Sequence, residues 1–391
     1  MLRLIVALCF LIPLLAHAKD KICLNMIVKN ESRVIKRCLD SVIPVIDYWV
    51  IVDTGSNDGT QQIIKEHLKN IPGELHERSW RNFGENRSEA FNLAKGKGDY
   101  ILFMDADDTL EFADKIEFPP LKEDMYLMVR GSKEFNYLKP QIARGNLPWK
   151  WVGVTHEYLS CDTPFTTAVI AHVKYISGDG GASTYDPEKF LKNVRLLTEG
   201  LKQEPDNSRY MFYLAESYRD AGEIGKALET YQKRVEMGNW EEEVFWSKLQ
   251  IGLMLHRMGI PLNVVAEAYK EAHAYRPHRA EPIYYLSEIY NQQGNHAEAY
   301  AWLKEYYAIP KPEERDSLFN IAWMDEYGLN FQLSICSYYL GHYQESIEAC
   351  DDLIACESLP ESWRNQAEIN RTFPVAKLQA QLAKSKKSIH K

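Results

Sequence analysis

Apolar positions between residues 21 and 108 alternate between two periods. Ile22, Leu24, Met26 and Val28 repeat every second residue and predict a strand, which ends at the polar loop Lys29-Asn30-Glu31-Ser32. Val34, Ile35, Leu39 and Val42 then recur at helical spacing. Residues 49–52 form an unbroken apolar strand that stops at Asp53, and after the loop 54–59 Ile63, Ile64 and Leu68 mark one face of a second helix. A helix over about 85–95 and a buried strand over 100–104, stopping at Asp105, complete the run. Short apolar strands separated by amphipathic helices predict a parallel sheet covered on both faces. In such sheets ligands bind beyond the carboxyl ends of the strands, and Asp53 and Asp105 fall at those ends.

From 125 to 180 the pattern changes to shorter strands, 126–129, 141–143 and 168–171, joined by aromatic-rich loops. Trp149, Trp151, His156, Glu157 and Tyr158 crowd one loop; in an extended segment the adjacent His156 and Glu157 would face opposite sides. Asp186-Pro187 predicts a helix start, and the chain reads as helical from there to about 383. That half repeats: Ala215, Gly252, Ser287 and Ser334 are each followed by glycine seven positions later, at Gly222, Gly259, Gly294 and Gly341. Pro205, Pro277, Pro310 and Pro360 fall between the units, where helices must stop. The recurrence resembles the tetratricopeptide repeat, whose helix pairs stack because one pair cannot bury its own apolar face. The expected organisation is a front domain over 19–184, an all-α tetratricopeptide-like solenoid over 185–383 and a basic tail over 384–391.

The first 18 residues stand apart. Arg3 precedes an apolar run from Leu4 to Leu15, closed by Ala16-His17-Ala18. The run is shorter than the roughly 20 residues a bilayer span needs, so a secretory signal peptide is favoured over a membrane anchor. The expected location is the secretory route, an ER or Golgi lumen or an exported compartment, with the cytoplasm as the alternative. Net charge of −9 argues against broad nucleic-acid binding, which needs a basic face. Of seven cysteines none lies at C-x-x-C spacing, which speaks against structural zinc. Cys23 reads as a buried strand residue, and export would allow Cys350 to pair with Cys356 or Cys336.

The chemistry concentrates at Asp105-Ala106-Asp107-Asp108. A buried strand that delivers D-x-D into a loop presents two carboxylates together, and hard cations such as Mg²⁺ and Mn²⁺ take such oxygens, with a diphosphate completing the shell. Asp53 ends another central strand, and a carboxylate there needs a donor, such as a base N–H or a ribose hydroxyl. Gly55 and Gly59 allow tight turns beside it. Asp58 reads as a helix cap, and Asp108 also reads more readily as a cap than as a ligand. Trp149 and Trp151 read either as core or as sugar-stacking rings.

Taken together, Ile27-Val28-Lys29-Asn30-Glu31, Val52-Asp53-Thr54-Gly55-Ser56-Asn57-Asp58-Gly59-Thr60, Asn86-Arg87 and Met104-Asp105-Ala106-Asp107 resemble glycosyltransferase family 2 over roughly residues 21–180. The resemblance implies the GT-A fold, a Rossmann-like α/β nucleotide-binding sheet with a mixed-sheet acceptor half, and usually inversion at the anomeric carbon. It implies that Asp53 contacts the nucleotide base under a loop containing Asn30 and Glu31. Arg87 would face the nucleotide or else make a surface salt bridge, Asp105 would face the ribose and the metal, Asp107 would ligate the metal, and His172 would be a third ligand or a plain strand histidine. Ser88 departs from the family, where asparagine is usual. Trp151-Val152-Gly153-Val154-Thr155-His156-Glu157 followed by helical repeats is similar to a subgroup with tetratricopeptide repeats, some members of which glycosylate peptides. An inverting transfer needs a general base; Glu157 is favoured, then His156, with Asp108 among the alternatives.

The expectation is therefore a hexosyl- or N-acetylhexosaminyl-type glycosyltransferase using Mn²⁺ or Mg²⁺ and a nucleotide-diphosphate sugar, UDP-sugar favoured. Its acceptor would be a peptide, protein or glycan, and the repeats would bind it or mediate self-association. Competing readings are an inactive solenoid scaffold with a nucleotide-binding front domain, and a nucleotidyltransferase. The latter normally opens with a Gly-rich basic loop, which Lys29-Asn30-Glu31-Ser32 is not.

Overall fold

The computed structural model describes residues 19–131, 136–313, 316 and 318–389 and divides into two compact units, meeting at residues 189 and 190. The segment read as a signal peptide lies outside the described residues.

In the front unit β1 (Ile22–Val28), β2 (Tyr48–Asp53), β3 (Gly73–Glu77) and β4 (Tyr100–Phe103) alternate with α1 (Ile35–Val42), α2 (Thr60–His67) and α3 (Phe83–Ala94). There follow β5 (Thr109–Phe112), β6 (Met125–Gly131), β7 (Asn136–Arg144), β8 (Trp149–Val152), β9 (Tyr158–Cys161) and β10 (Thr167–Ile176). The eight-stranded sheet has the order β3-β2-β1-β4-β7-β6-β10-β5, and β8 and β9 form a separate antiparallel pair. The expected parallel sheet is confined to β3, β2, β1 and β4; β7 joins β4 antiparallel and makes the sheet mixed. β3 escaped the pattern because Gly73-Glu74-Leu75-His76-Glu77 is a half-exposed edge strand with one apolar residue.

Alternation along the strands sends side chains to two cores. Ile22, Leu24, Met26 and Val28 pack with Ile51 and Leu102 against Ile35, Leu39 and Ile64 of α1 and α2. Cys23, Val50, Ile101 and Phe103 pack against Phe91 and Ala94 of α3 and against Trp149 and Trp151. Each fully buried Leu or Phe there contributes on the order of 2 kcal/mol. Asn25, also buried, donates from Nδ2 to the Val50 and Ala90 carbonyls at 3.2 and 2.9 Å and so ties the sheet to α3. Trp149 and Trp151 are thus core residues: their rings meet Phe165 and Phe103 edge-on at 4.8 and 5.2 Å.

The second unit is helical: α4 (Lys189–Gln203), the pairs α5 (Ser208–Asp220) and α6 (Ile224–Met237), α7 (Glu241–Arg257) and α8 (Leu262–Tyr275), α9 (Glu281–Gln292) and α10 (His296–Ala308), α11 (Leu329–Tyr339) and α12 (Tyr343–Ala355), then α13 (Glu361–Ile389). Gly222, Gly259, Gly294 and Gly341 each take φ between +70° and +83° in the turn inside a pair, a conformation that costs glycine nothing. The longer spacing before the last pair reflects an insertion that ends in a π-helical turn, Met324–Gly328. α4 begins at Lys189, two residues after Pro187, and ahead of it Asp186 Oδ1 accepts from Glu188 N at 3.0 Å, after a 3₁₀ turn at Ala182–Tyr185. α13 continues to Ile389, past the point where a tail was expected, and contains Pro374. Cys336, Cys350 and Cys356 form no disulfide here. Among the described residues no helix is long and apolar enough to cross a membrane.

Candidate functional site

The tips of β2 and β4 are two strands apart in the sheet, about 10 Å. At the first tip Asp53 is 1% exposed. Its Oδ1 accepts from the Gly55 and Ser56 amides at 2.9 and 2.8 Å and from Gln61 Nε2 at 3.0 Å. Burial alone would raise this carboxyl, but the Ser56, Gln61 and Gly55 hydrogen bonds outweigh it and hold it below its ordinary value. Oδ2 is buried and has no hydrogen-bond partner among the described residues. The loop donors therefore account for half of this carboxylate.

The loop after β1 is stitched to the loop after β2. Asn30 N donates to Ser56 Oγ, Glu31 N to Thr60 Oγ1 and Ser32 N to Asp58 Oδ2, while Asn57 N donates to Asn30 Oδ1, all at 2.8–3.0 Å. Asn30 takes φ 58° to make this turn. Asp58 serves both sides: its Oδ1 also accepts from Thr60 N, beside the start of α2.

At the second tip the carboxylates separate into different environments. Asp105 Oδ1 is ion-paired with Arg87 of α3, and Oδ2 lies 3.4 Å from Arg130 of β6 and 3.6 Å from Lys139 of β7. Burial would raise the Asp105 carboxyl, but the charges of Arg87, Lys139 and Arg130 prevail and hold it far below the usual carboxylate range. Asp107 is raised instead, by burial and by Asp105, and among the described residues it makes no ion pair. Asp108 caps no helix, because β5 follows it directly; its Oδ1 accepts from Gly178 N at 2.8 Å, and its Oδ2 lies 3.0 Å from Arg130 in an ion pair not aligned as a hydrogen bond.

A glycine-rich strap, Ser177-Gly178-Asp179-Gly180-Gly181-Ala182, crosses these acids. Gly178 N reaches Asp108, the Gly181 amide reaches Asp107, and Ala182 N donates to Glu31 Oε2 at 3.1 Å. A Cβ at Gly178 would stand 1.9 Å from the Asp107 carbonyl, and one at Gly181 would stand 2.6 Å from Asp107 Oδ2. Burial, with repulsion from Asp107 and Asp58, lifts the Glu31 carboxyl to about 7.

Glu157 reaches this cluster through α3. Phe83 N and Gly84 N, at the start of α3, donate to the Val154 and Gly153 carbonyls at 3.1 Å, and Ser88 Oγ bonds the Trp151 backbone. Ser88 thus docks β8. Docked in this way, the β8–β9 turn brings Glu157 Oε1 to 2.7 Å from Arg87 Nε. Arg87 is no surface salt bridge: it lies between Glu157 and Asp105, over the Trp151 ring at 5.4 Å. His156 and Glu157 are not in an extended segment, since His156 takes φ 51° in the turn and is exposed. His172 stands at an irregularity in the pairing of β10 with β6. Among the described residues no three His, Cys, Asp or Glu side chains converge as a metal would need.

Sequence reasoning missed Arg130, Lys139 and Tyr175. Tyr175 Oη accepts from Asp105 N at 3.0 Å, and its ring lies under both cations. Only the pairing of β6, β7 and β10 brings these three to β4. A cavity of about 480 Å³ beside α3 is lined by Arg81, Ser88, Glu89 and Trp151 among others, but it holds none of the strand-tip carboxylates.

Comparison with known proteins follows the same division. Residues 23–118 match the glycosyl transferase family 2 model, and residues 194–238 match a tetratricopeptide repeat model. A TPR repeat-containing protein of Synechococcus elongatus is 36% identical over 96 residues, covering 25% of this chain and 23% of that protein. The prophage-derived glycosyltransferase SunS of Bacillus subtilis is 25% identical over 232 residues, covering 54% of this chain and 52% of that protein. An uncharacterized glycosyltransferase of Rickettsia felis is 26% identical over 243 residues, covering 58% and 79%. The chain thus spans about a quarter of the first of these relatives and about half of the second. Within it, residues 23–118 are a glycosyl transferase family 2 domain, and a helical region with a tetratricopeptide repeat follows.

Proposed function

We propose that the front unit moves a sugar from a nucleotide-diphosphate donor, a UDP-sugar by preference, to a hydroxyl or amide acceptor on a peptide, protein or glycan. The carrying observation is that Asp53 and Asp107 share one edge of the sheet, the first with a buried oxygen lacking any donor and the second with no ion pair among the described residues. The base or ribose of a nucleotide satisfies the first. A divalent cation relieves the second, because a half-buried carboxylate repelled by Asp105 gains most from a positive partner. Asp107 is accordingly the residue that would hold Mn²⁺ or Mg²⁺. Asp105 is already neutralised by three cationic side chains and would join only after releasing one of them. When bound, the cation neutralises charge on the departing diphosphate.

In an inverting transfer Glu157 is the general base. Its Oε1 is fixed by Arg87, which leaves Oε2 to take the acceptor proton, while Arg87 keeps the base registered against Asp105. His156, exposed in the turn, is the weaker candidate. The repeats are proposed to present the acceptor.

The test is a mass-spectrometric donor screen on the full chain with several nucleotide sugars and Mn²⁺. Release of nucleoside diphosphate that disappears in Asp107→Ala is the expected outcome. Equal release from wild type and variant would remove the metal assignment, and no release with any donor would favour a binding protein. Glu157→Gln should retain donor binding and lose transfer.

A further inference from the structure

The insertion before α11 belongs to no repeat, yet three repeats hold it. Between Ile309 and Ile321 the described residues form neither helix nor strand, and an irregular run of that length inside a packed domain is commonly functional. The run reaches back to earlier repeats. Phe319 sets its ring centre 5.0 Å from that of Trp246 in α7 and 6.2 Å from that of Phe212 in α5. Trp323, which follows, stands 5.0 Å from Tyr284 of α9. Because α5, α7 and α9 are the first helices of successive pairs, the segment crosses the repeats in the direction along which a solenoid offers an extended binding surface.

Side chains of the repeats receive its backbone as they would receive that of a bound peptide. Leu318 N donates to Glu242 Oε2 at 2.7 Å, and Ile321 N donates to Glu281 Oε1 at 3.2 Å. Arg279 donates from Nη1 to the Leu318 carbonyl at 3.4 Å and from Nη2 to the Phe319 carbonyl at 3.2 Å. A helix or strand would satisfy these groups with other backbone. Asp316 adds charge: its carboxylate accepts from Arg276 Nε at 2.8 Å and Arg279 Nη1 at 3.0 Å, with His278 at 3.4 Å. The recognised pattern is thus an acid, an aromatic three residues on and a second aromatic four beyond that. Phe319 takes φ 43°, a conformation that bulky L-residues rarely adopt and that gathers at switch segments. The receiving face is well made, and its occupant is the strained partner.

We propose that Asp316 and residues 318–323 occupy in cis a peptide-binding site of the repeats, and that a partner segment with an acid followed at the third position by an aromatic displaces them. The site's chemistry sets the partner's. Arg276, His278 and Arg279 call for a carboxylate, Phe212 and Trp246 for a flat ring, and Glu242 and Glu281 for backbone N–H groups not committed to helix or strand. An extended peptide supplies all three, whereas a nucleic acid would bring phosphates against Glu242 and Glu281. A tethered occupant competes at an effective concentration of millimolar order, which closes the site to mismatched segments. No residue of the front unit takes part, so the proposal stands apart from the nucleotide-sugar reading.

The probe is a fluorescent peptide with the sequence of residues 315–325, titrated into the full chain and followed by anisotropy. The double variant Asp316→Ser, Phe319→Gly removes both anchors of the tethered segment. It should bind the peptide roughly tenfold or more tighter than wild type, whose own segment competes. A peptide carrying Asp316→Lys and Phe319→Ala should bind neither chain. A double variant that melts as cooperatively as wild type yet takes up no peptide overturns the proposal, and so does equal binding to both chains. Should the double variant fail to fold, hydrogen exchange of the wild-type chain decides. The Leu318 and Ile321 amides should exchange roughly a hundredfold faster than interior amides of α7 and α9, because the segment leaves while the repeats stay folded. Exchange at the same rate as those helices would make the segment permanent core and overturn the displacement.

Discussion

Asp53 and Asp105 end two parallel strands of one sheet with β1 between them, yet they are held in opposite ways. Asp53 is bound by its own loop, through two backbone amides and the side chain of Gln61, eight residues on. Asp105 is bound by side-chain cations from α3, β6 and β7. A backbone amide cannot leave without unfolding its turn, whereas a lysine or arginine can swing to a better anion. The first tip is therefore a rigid receptor with one oxygen left over. The second is a store of balanced charge that a ligand can redistribute, and charge redistribution is what a site handling a diphosphate requires.

The strongest way to break this contrast is Asp105→Asn. It leaves Arg87, Arg130 and Lys139 facing one another with their shared counter-charge gone, and unfolding of the front unit should become easier by roughly 3 kcal/mol, with sugar transfer lost. Denaturant titration followed by front-unit tryptophan fluorescence measures the first effect, and a stability unchanged from wild type would mean that the cations do not depend on Asp105. Gly178→Ala comes next. The added methyl meets the Asp107 carbonyl backbone, which cannot turn aside as a side chain can, and should cost roughly 2 kcal/mol. Gly181→Ala meets only the Asp107 carboxylate and should cost less, so a melting comparison that reversed this order would remove the close strap contact.

Asp53→Asn sharpens the contrast from the other side. Oδ1 can keep its loop donors, but a neutral group weakens them by about 1 kcal/mol, and nucleotide affinity should fall while stability changes little. Titration with UDP reads this, and retained affinity would show that Oδ2 does not face the nucleotide. The smallest effect concerns Asp58. Partial burial raises its carboxyl, yet Thr60 and Ser32 bring it down to about 2. A depressed acid contributes fully above the unfolded value, near 3.8, and its contribution fades as pH falls towards 2. Melting temperature in Asp58→Asn should therefore decline less steeply than wild type between about pH 4 and pH 2, and parallel curves would refute the assignment.

What could be read from the residues alone was whatever local physics dictates. The period-two strands β1 and β2, the amphipathic α1 and α2, the placement of Asp53 and Asp105 at strand ends, and the repeating glycine turns all follow from contacts within a few residues. The family 2 motifs belong here too, since each is a short segment whose turn geometry it encodes itself. Edge strands with little apolar patterning, such as β3, fell outside this logic, and so did the helix cap assigned to Asp108, whose following residues turned out to be a strand. Tertiary structure alone decided which charges meet. Nothing in Lys139 or Arg130 as residues announces Asp105, because the pairing of β7 with β4 and of β6 with β7 brings them there. It also set Arg87 between Glu157 and Asp105 and laid the 177–182 strap over Asp107. Electrostatic partnership depends on distance through space, and folding sets that distance between segments whose separation along the chain carries no record of it.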